Sequence, residues 1–357
     1  MLQYIRLLTP SLAGLWAQSV TLNIVHITSI LLIEKWPSPH VEGLFAGSSF
    51  RATWRLWANP QLLNPSVTND PQEQDDTTGK KTKPQEPLSI FLLLRLAKLP
   101  LYYTLYTHLL PLLFSETLGS LSAADVADPA LLARLPALTA REAVVRGYTA
   151  LVWAWESLVF LDGANAALSI IFVLSGVDEP RDWPPLFGSP SAAACGLRGF
   201  WSGFWHRLVV RPYGSVGRAV ARWLRVRGTR AEKSVMAFVV FLLSGLSHGA
   251  VSWRMGHKDW VVDVQWFMFN FMACSFELFV LSALRGLARR VGWARELALL
   301  EASWLGQLVG YSWVFGFFFW TVPVWRWPRL HKQLETAEIW MRLLSKMTLV
   351  PKEAHQG

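Results

Sequence analysis

A run of apolar residues without Asp, Glu, Lys or Arg extends over residues 7–33. A hydrocarbon core of about 30 Å is crossed by about 20 mostly apolar residues in a helix, so this run is long enough to span a membrane. It is too long for the apolar core of a signal peptide, and no obvious small-residue cleavage site follows it. We therefore predict that residues 7–33 form a first, retained membrane span.

Five later segments are also long and mostly apolar, and they comprise residues 88–114, 147–177, 234–253, 260–284 and 302–325. Six spans are a minimum, because residues 41–63 and 121–138 are apolar enough to add short or re-entrant segments. The pattern predicts an all-α, polytopic transmembrane helix bundle. We treat residues 1–357 as a single membrane-embedded domain.

The composition excludes several other classes of protein. Hydrophobic residues make up 52% of the chain and charged residues only 17%, whereas soluble domains carry about 25% charged residues. A disordered, collagen-like or coiled-coil chain is therefore excluded. The chain has two cysteines, Cys195 and Cys274, which are too few for a disulfide scaffold and have no metal-binding or redox spacing.

The net charge of +9 is concentrated in one connection between spans. Residues 178–233 contain ten Lys and Arg against four Asp and Glu, which accounts for six of the nine positive charges. A second basic connection, residues 285–295, follows two spans later, so both connections lie on the same side of the membrane. Positive loops are typical of the cytosolic side, and this explains the charge better than a nucleic-acid partner does. By contrast, residues 59–87 are polar and Pro-rich and predict a flexible loop.

A histidine within the fourth predicted span is the first candidate for chemistry. His248 lies in the run F-L-L-S-G-L-S-H-G, between Gly245 and Gly249. Ionisable groups at membrane depth are rare and are often functional, although a hydrogen bond to a neighbouring helix is the plain alternative. The two glycines, four residues apart, leave one helix face bare for a neighbour or a ligand. The same letters match the G-x-S-x-G nucleophile elbow, but that motif requires a strand-to-helix turn, so we regard the match as a coincidence.

A second candidate segment, residues 183–213, is rich in aromatic residues. At about 100° per residue, six apolar side chains fall on one half of a helix, and His206 and Ser202 fall on the other half. The pattern predicts an amphipathic helix at the membrane interface, whose plain interpretation is an anchor and nothing more. The apolar side chains are Phe200, Trp201, Phe204, Trp205, Leu208 and Val209.

Polar residues within the spans are weaker candidates, because hydrogen bonds between helices explain them adequately. Glu156, Asp162 and Asn165 belong to the third span, and Asp263, Asn270 and Glu277 belong to the fifth. Asn270 and Glu277 are about two turns apart and share a face that must point into the bundle. The chain has no Walker A loop, G-x-G-x-x-G, H-x-x-x-x-D, H-E-x-x-H or Asp-rich diphosphate motif.

Three motifs together resemble a known family. They are W-P-P-L-F-G, R-G-F-W-S-G-F-W-H-R-L and F-L-L-S-G-L-S-H-G, and R-A-T-W-R-L-W-A-N-P-Q-L-L-N-P after the first span is a weaker match. They are similar to the wax synthase-like branch of the membrane-bound O-acyltransferases, in particular to fungal members that acetylate terpenoid and polyketide natural products. Where plant-like relatives read F-W-G-R-R-W, this chain reads F-W-S-G-F-W and lacks the paired arginine.

The resemblance implies a helix bundle that encloses a reaction chamber, acyl-CoA as the donor, and catalysis by the histidine of S-G-x-x-H. That residue is His248, and the second polar residue of such enzymes corresponds to His206. We expect His248 to be the base that deprotonates an alcohol, and His206 to donate to the oxyanion or to hold the CoA sulfur. Arginine suits phosphate recognition, so we expect the CoA phosphates to be bound by Arg198, Arg207 and Arg211. The expected substrate contacts are Trp201, Trp205, Ser244, Ser247 and Asn270.

The leading hypothesis is therefore an acetyl-CoA-dependent O-acetyltransferase of the endoplasmic reticulum that acts on a hydrophobic secondary metabolite. We expect the bilayer as its surroundings, no permanently bound cofactor, no metal and no nucleic acid. One alternative transfers a longer acyl chain to a fatty or sterol alcohol. Another is a transporter or channel whose polar pathway is lined by Glu156, Asp162 and Glu277. The acceptor and the oligomeric state stay open.

Overall fold

The computed structural model describes residues 12–35, 87–130 and 132–348. Within these ranges the regular secondary structure is entirely helical, so the all-α prediction is confirmed. The α-helices are α1 Leu12–Thr28, α2 Leu88–Thr104, α3 Leu110–Leu118, α4 Ala140–Leu174, α5 Leu197–Gly199, α6 Val210–Trp223, α7 Arg230–Arg254, α8 Val261–Arg290, α9 Ala294–Ala302 and α10 Trp304–Thr348. Wider π-helical turns follow α1 (Ser29–Glu34), α2 (Leu105–Leu109) and α5 (Phe200–Phe204).

Among the residues that the structure describes, six helical segments are long and apolar enough to cross a membrane, and each corresponds to one predicted span. They are Trp16–Glu34, Leu88–Leu109, Ala140–Leu174, Ala231–Arg254, Val261–Arg290 and Trp304–Ser345. The number and length of these helices confirm the prediction of a multi-pass membrane protein. The last helix extends well beyond the predicted end at residue 325, passing through Pro323 and Pro328 to Thr348. Proline is tolerated within membrane helices, where neighbouring groups can satisfy the freed carbonyls.

The sequence also suggested short or re-entrant segments at residues 121–138 and 41–63, and the structure describes the first of them but not the second. Residues 121–138 do not form a span, because their described part folds into two short 3₁₀ helices, Ala123–Val126 and Leu132–Ala137. Residues 41–63 lie outside the described part of the chain, as do the motif at residues 51–65 and all but the last residue of the loop at 59–87.

The described residues form two compact units, and α4 and α10 contribute to both. The first unit comprises residues 103–157 and 315–348, and its core includes Leu121, Ala123, Val126, Val145, Trp327, Leu330 and Leu334. Arg146 is fully buried in this unit, where its guanidinium faces the rings of Trp320 and Trp327 at 4.9 and 4.7 Å and donates to Glu142. The ion pair and the aromatic faces offset the cost of burying this charge.

The described part of the second unit comprises residues 12–35, 87–102 and 158–314 and contains α1, most of α2, and α6, α7 and α8. The turn after α1 packs on the start of α6, where Ser29 is hydrogen-bonded to Ser215 and Arg211 pairs with Glu34. Charged residues of its spans are also paired, since the ammonium of Lys98 lies 2.8 Å from the carboxylate of Asp162. These pairs explain how the second and third spans tolerate charge.

Candidate active site

His248 lies where glycines allow α7 and α8 to approach each other closely. A Cβ on Gly245 would lie 2.9 Å from the Cα of Val264, and one on Gly249 would lie 3.1 Å from the carbonyl oxygen of Trp260. The bare face predicted from these two glycines is therefore occupied by a neighbouring helix. The close approach brings α8 against His248, whose imidazole stacks on the ring of Phe267 with centroids 4.9 Å apart.

The second motif forms a compact segment that we name the aromatic turn, residues 197–206. It begins with α5 and continues as a π-helical turn, which Trp205 closes by donating its backbone N–H to the carbonyl of Phe200 at 2.8 Å. The backbone is extended at Trp205, and the next helix starts only at Val210. The prediction of one amphipathic helix through Val209 is therefore wrong.

Close contact with the preceding motif explains why the helix ends there. Gly188 donates its backbone N–H to the carbonyl of Phe204 at 2.9 Å, and Arg207 donates to Leu186 at 3.2 Å. A Cβ on Gly188 would lie 1.8 Å from the carbonyl oxygen of Gly203, so only glycine permits this approach. The W-P-P-L-F-G motif and the aromatic turn are thus one structural element, held by main-chain hydrogen bonds that helical periodicity does not encode.

A series of ring contacts connects the two histidines. His206 contacts Trp205 at 5.6 Å between centroids, and Trp205 contacts Trp201 at 5.5 Å. Trp201 in turn lies 6.4 Å from Phe267, the ring on which His248 stacks. Trp201 is fixed by Asn270, whose amide oxygen accepts from the indole N–H at 3.2 Å. The structure therefore brings the two predicted catalytic histidines into one aromatic cluster.

His206 is held in its neutral form. Burial, and secondarily repulsion from a protonated His248, lower the pKa of His206 from 6.5 to about 4. Its Nδ1 atom is buried and has no hydrogen-bond partner among the described residues. A neutral imidazole carries one donor and one acceptor, so this ring has hydrogen-bonding capacity that contacts within the described residues do not use.

Glu277 fixes the beginning of the aromatic turn. Its Oε2 atom accepts from the backbone N–H of Leu197 and from Nε1 of Trp313, each at 2.7 Å, and Oε1 accepts from the N–H of Arg198 at 3.3 Å. Asn270 and Glu277 are both buried and both contact this segment. The prediction that they share an inward face is confirmed.

The two serines predicted as substrate contacts have partners within the protein. Ser244 donates to the carbonyl of Val240 on its own helix at 2.8 Å. Ser247 is 4% exposed, and its hydroxyl lies 2.6 Å from that of Tyr213 on α6. Burial raises the pKa of Tyr213, so its phenol stays protonated and able to donate. Ser247 therefore has a partner in the packing of α6 on α7, and its contact with the substrate stays a prediction.

The three arginines predicted to bind CoA phosphates differ in their surroundings. Arg198 and Arg207 are exposed and form no ion pair within the described ranges. Arg211 is half-buried and pairs with Glu34 at 2.8 Å, so its charge is already neutralised. The structure therefore does not support Arg211 as a phosphate ligand. Among the residues that the structure describes, no group of His, Cys, Asp or Glu could hold a metal ion.

Phe267 and Tyr213 were missed by the sequence reasoning, and Glu277 was given too little weight. A signal for Phe267 exists, because residues 267, 270, 274 and 277 follow helical spacing and define one face of α8. The partners of Tyr213 and Glu277 are distant in sequence, so no local pattern identifies them.

Comparisons with known proteins agree with these motifs. Residues 183–270 match the membrane bound O-acyl transferase family. The chain is similar to acetyltransferase atnC of Arthrinium sp, with 38% identity over 122 residues, or 33% of this chain and 28% of the relative. It is also similar to acetyltransferase nanB of Aspergillus nanangensis, with 31% identity over 179 residues, or 49% of this chain and 42% of the relative.

A third relative is acetyltransferase TRI7 of Fusarium sporotrichioides, with 31% identity over 179 residues, or 48% of this chain and 40% of the relative. The chain thus matches less than half the length of each of these relatives. No solved structure matches the chain. Residues 183–270, which hold both histidine motifs, are thus similar to the membrane-bound O-acyltransferase family, and the three relatives are fungal proteins that bear the name acetyltransferase.

Proposed function

We propose that this protein transfers the acetyl group of acetyl-CoA to a hydroxyl of a hydrophobic secondary metabolite, such as a terpenoid or meroterpenoid. The observation that carries the proposal is the aromatic cluster that joins His248 and His206. The relatives support the reaction type, because each bears the name acetyltransferase. The setting is a membrane, for which we propose the endoplasmic reticulum, with the basic connections facing the cytosolic pool of acetyl-CoA.

In the proposed reaction His248 is the general base. The acceptor hydroxyl gives its proton to the imidazole as its oxygen attacks the thioester carbonyl, which forms a tetrahedral intermediate. The C–S bond then breaks, and the leaving thiolate takes the proton back from the imidazolium to give CoA and the acetate ester. Histidine suits this role because its ordinary pKa of about 6.5 lies close to cytosolic pH. No covalent enzyme intermediate is required.

His206 is proposed to stabilise the oxyanion of the intermediate. Its depressed pKa keeps it neutral at pH 7, so one ring nitrogen carries a hydrogen that can be donated. Loss of one oxyanion donor typically costs about 2.7–4 kcal/mol of transition-state stabilisation. The buried, unpartnered Nδ1 shows that one polar atom of this ring is not already used in packing.

The surrounding residues suit an apolar acceptor and an anionic donor. The rings of Trp201 and Trp205 make the surroundings of the histidines apolar, which suits a hydrophobic acceptor. The exposed Arg198, within the aromatic turn, and Arg207, directly after it, supply positive charge for the CoA phosphates.

The transporter alternative depends on three carboxylates, and each has partners within the protein. Asp162 accepts from Lys98 and from Tyr102 at 2.8 and 2.6 Å. Glu156 pairs with Arg326 at 3.3 Å, and Glu277 accepts from backbone and indole N–H groups. These contacts account for the carboxylates by helix packing, so no observation on them favours a polar pathway.

The test is acetyl transfer in membranes that contain the protein. Labelled acetyl-CoA and a hydroxylated terpenoid should give a labelled ester, and His248→Ala should lower the rate at least about 100-fold at equal protein abundance, the usual range for a lost general base. His331→Ala, a change at a histidine that contacts only Glu335 among the described charged groups, is the matched control and should leave the rate unchanged. Wild-type activity in the His248→Ala membranes would contradict the mechanism. A preference for long-chain acyl-CoA would instead indicate a wax-ester or sterol acyltransferase.

A further inference from the structure

We propose that Glu277 is a positioning residue for acyl transfer, which acts by holding the aromatic turn in the register that places Trp201 and His206 at the site. This inference rests on the proposed function. Glu277 lies on α8, seven residues after Asn270, and neither residue is close to His206 in sequence. Its influence on the reaction must therefore pass through the turn itself.

The contacts of Glu277 satisfy the free N–H groups at the start of a helix. The first N–H groups of any helix lack partners within it, and a carboxylate acceptor there is stabilising. Glu277 accepts from Leu197 and Arg198, the first two residues of α5. Within the described residues its hydrogen-bond donors are all neutral N–H groups, including Nε1 of Trp313. A buried carboxylate with several such donors is fixed in position and fixes its donors in turn.

The residue before the turn is adapted to this contact. Gly196 has φ +91°, in the left-handed region that favours glycine. A Cβ at this position would lie 2.6 Å from Oε2 of Glu277, closer than any real contact. Conformation and space therefore both require glycine for the carboxylate to reach the N–H groups. The same helix holds the turn a second time, where Asn270 accepts from the indole of Trp201.

Two points of attachment on one rigid helix determine where the turn lies along α8. Asn270 fixes Trp201, and Glu277 fixes Leu197 four residues earlier in the turn. The end of the turn stays attached to the preceding motif through the backbone hydrogen bonds of Gly188 and Arg207. Without the Glu277 contact, the start of the turn is held on α8 at Trp201 alone. A shift there moves Trp201 and, through the ring contacts with Trp205, changes the surroundings of His206. We infer that loss of Glu277 lowers kcat more than it raises KM for acetyl-CoA.

The test compares two substitutions that differ in hydrogen-bonding capacity. Glu277→Gln keeps the shape and one acceptor oxygen and should lower kcat about two- to fivefold. Glu277→Leu keeps no acceptor and should lower kcat at least about tenfold, with KM for acetyl-CoA changed less than about threefold. Trp313→Phe removes one donor and should add nothing when combined with Glu277→Leu, because coupled residues are not additive. Glu301→Gln, a change in an exposed ion pair with Arg285, is the matched control and should have no effect.

A second measurement does not depend on catalysis. The chain has two cysteines, so Cys195→Ser leaves Cys274 as its single thiol. Cys274 is buried on α8, one turn before Glu277, and should resist alkylation by N-ethylmaleimide in purified protein. In the Cys195→Ser background, Glu277→Leu should increase the rate of Cys274 alkylation at least about fivefold. Glu277→Gln should increase that rate by a smaller factor.

The outcomes separate the two proposals. Faster alkylation with an unchanged kcat in Glu277→Leu would show that the contact is structural only and would overturn the positioning role. Unchanged protection of Cys274 would overturn the attachment itself. If the unsubstituted protein transfers no acyl group to any alcohol, the proposed function fails, and the alkylation result still decides whether Glu277 holds the turn.

Discussion

The imidazole of His248 and the ring of Phe267 stack with their planes inclined by 24° and their centroids 4.9 Å apart. The two residues belong to adjacent helices, α7 and α8, which approach closely through Gly245 and Gly249. The orientation of the imidazole is therefore set by a residue on another helix. In the proposed mechanism, His248 must lie within hydrogen-bond reach of the hydroxyl that it deprotonates, and this stacking fixes the orientation of its ring.

Replacement of Phe267 by leucine should lower activity without abolishing it. Aromatic pairs contribute about 0.5–1.5 kcal/mol beyond the area that they bury, which corresponds to roughly a two- to tenfold decrease in kcat if the imidazole loses its orientation. Phe276→Leu alters a 61% exposed ring on the same helix and should leave kcat unchanged. Equal rates for the two variants would show that the stacking does not orient His248.

The depressed pKa of His206 predicts a loss of stability in acid. Burial lowers this pKa from 6.5 to about 4, so below pH 6.5 the unfolded chain binds a proton that the folded protein does not. The stabilising contribution of the neutral ring is complete above pH 6.5 and decreases as the pH falls towards 4. The melting temperature in detergent should therefore fall between pH 7 and pH 5, and it should fall less in His206→Asn.

Between pH 5 and pH 7, the titration of His206 can be separated from that of Asp125, a second group whose pKa is shifted. A hydrogen bond from Arg141, the largest of several effects, holds the pKa of Asp125 at about 2, so this carboxylate stays charged throughout the interval. Asp125→Asn should lower the melting temperature by a similar amount at pH 7 and pH 5. An identical dependence on pH in His206→Asn and in the unsubstituted protein would contradict the assignment to His206.

The membrane spans were predictable because a span is a local property of the sequence. About 20 apolar residues without charge specify a membrane helix whatever surrounds them, and all six predictions correspond to helices. The charged residues inside the spans are the exception, because Asp162 is stabilised by Lys98 and Tyr102 on a neighbouring span.

The site was less predictable because its geometry depends on contacts between distant segments. Helical periodicity indicated one helix through Val209, but the contact of Gly188 with Gly203 ends it at Trp205. Arg211 looked like a phosphate ligand from its basic surroundings, whereas its partner Glu34 lies at the end of the first span. No property of residues near Arg211 indicates that partner.

Position 188 should tolerate no residue larger than glycine, because Gly188 packs directly against the aromatic turn. A Cβ would overlap the carbonyl oxygen of Gly203, so Gly188→Ala must displace the turn and break the hydrogen bond to Phe204. We expect a loss of activity of at least about tenfold together with a lower melting temperature. Gly286→Ala is the control, because a Cβ there meets nothing within 4 Å and alanine favours a helix by about 1 kcal/mol. An active and stable Gly188→Ala variant would contradict the observed packing.

Substitution of the three arginines near the aromatic turn should have two different results for the KM for acetyl-CoA and the melting temperature. Arg198 and Arg207 are exposed, so their replacement by alanine should raise KM for acetyl-CoA about three- to tenfold and leave the melting temperature nearly unchanged. Arg211 pairs with Glu34, and Arg211→Ala leaves that carboxylate without its cation. This variant should have a lower melting temperature and an unchanged KM. Glu34→Gln should reproduce the loss of stability, and the double variant should lose little more, because the two residues form one pair. A raised KM in Arg211→Ala alone would instead restore this residue as a phosphate ligand.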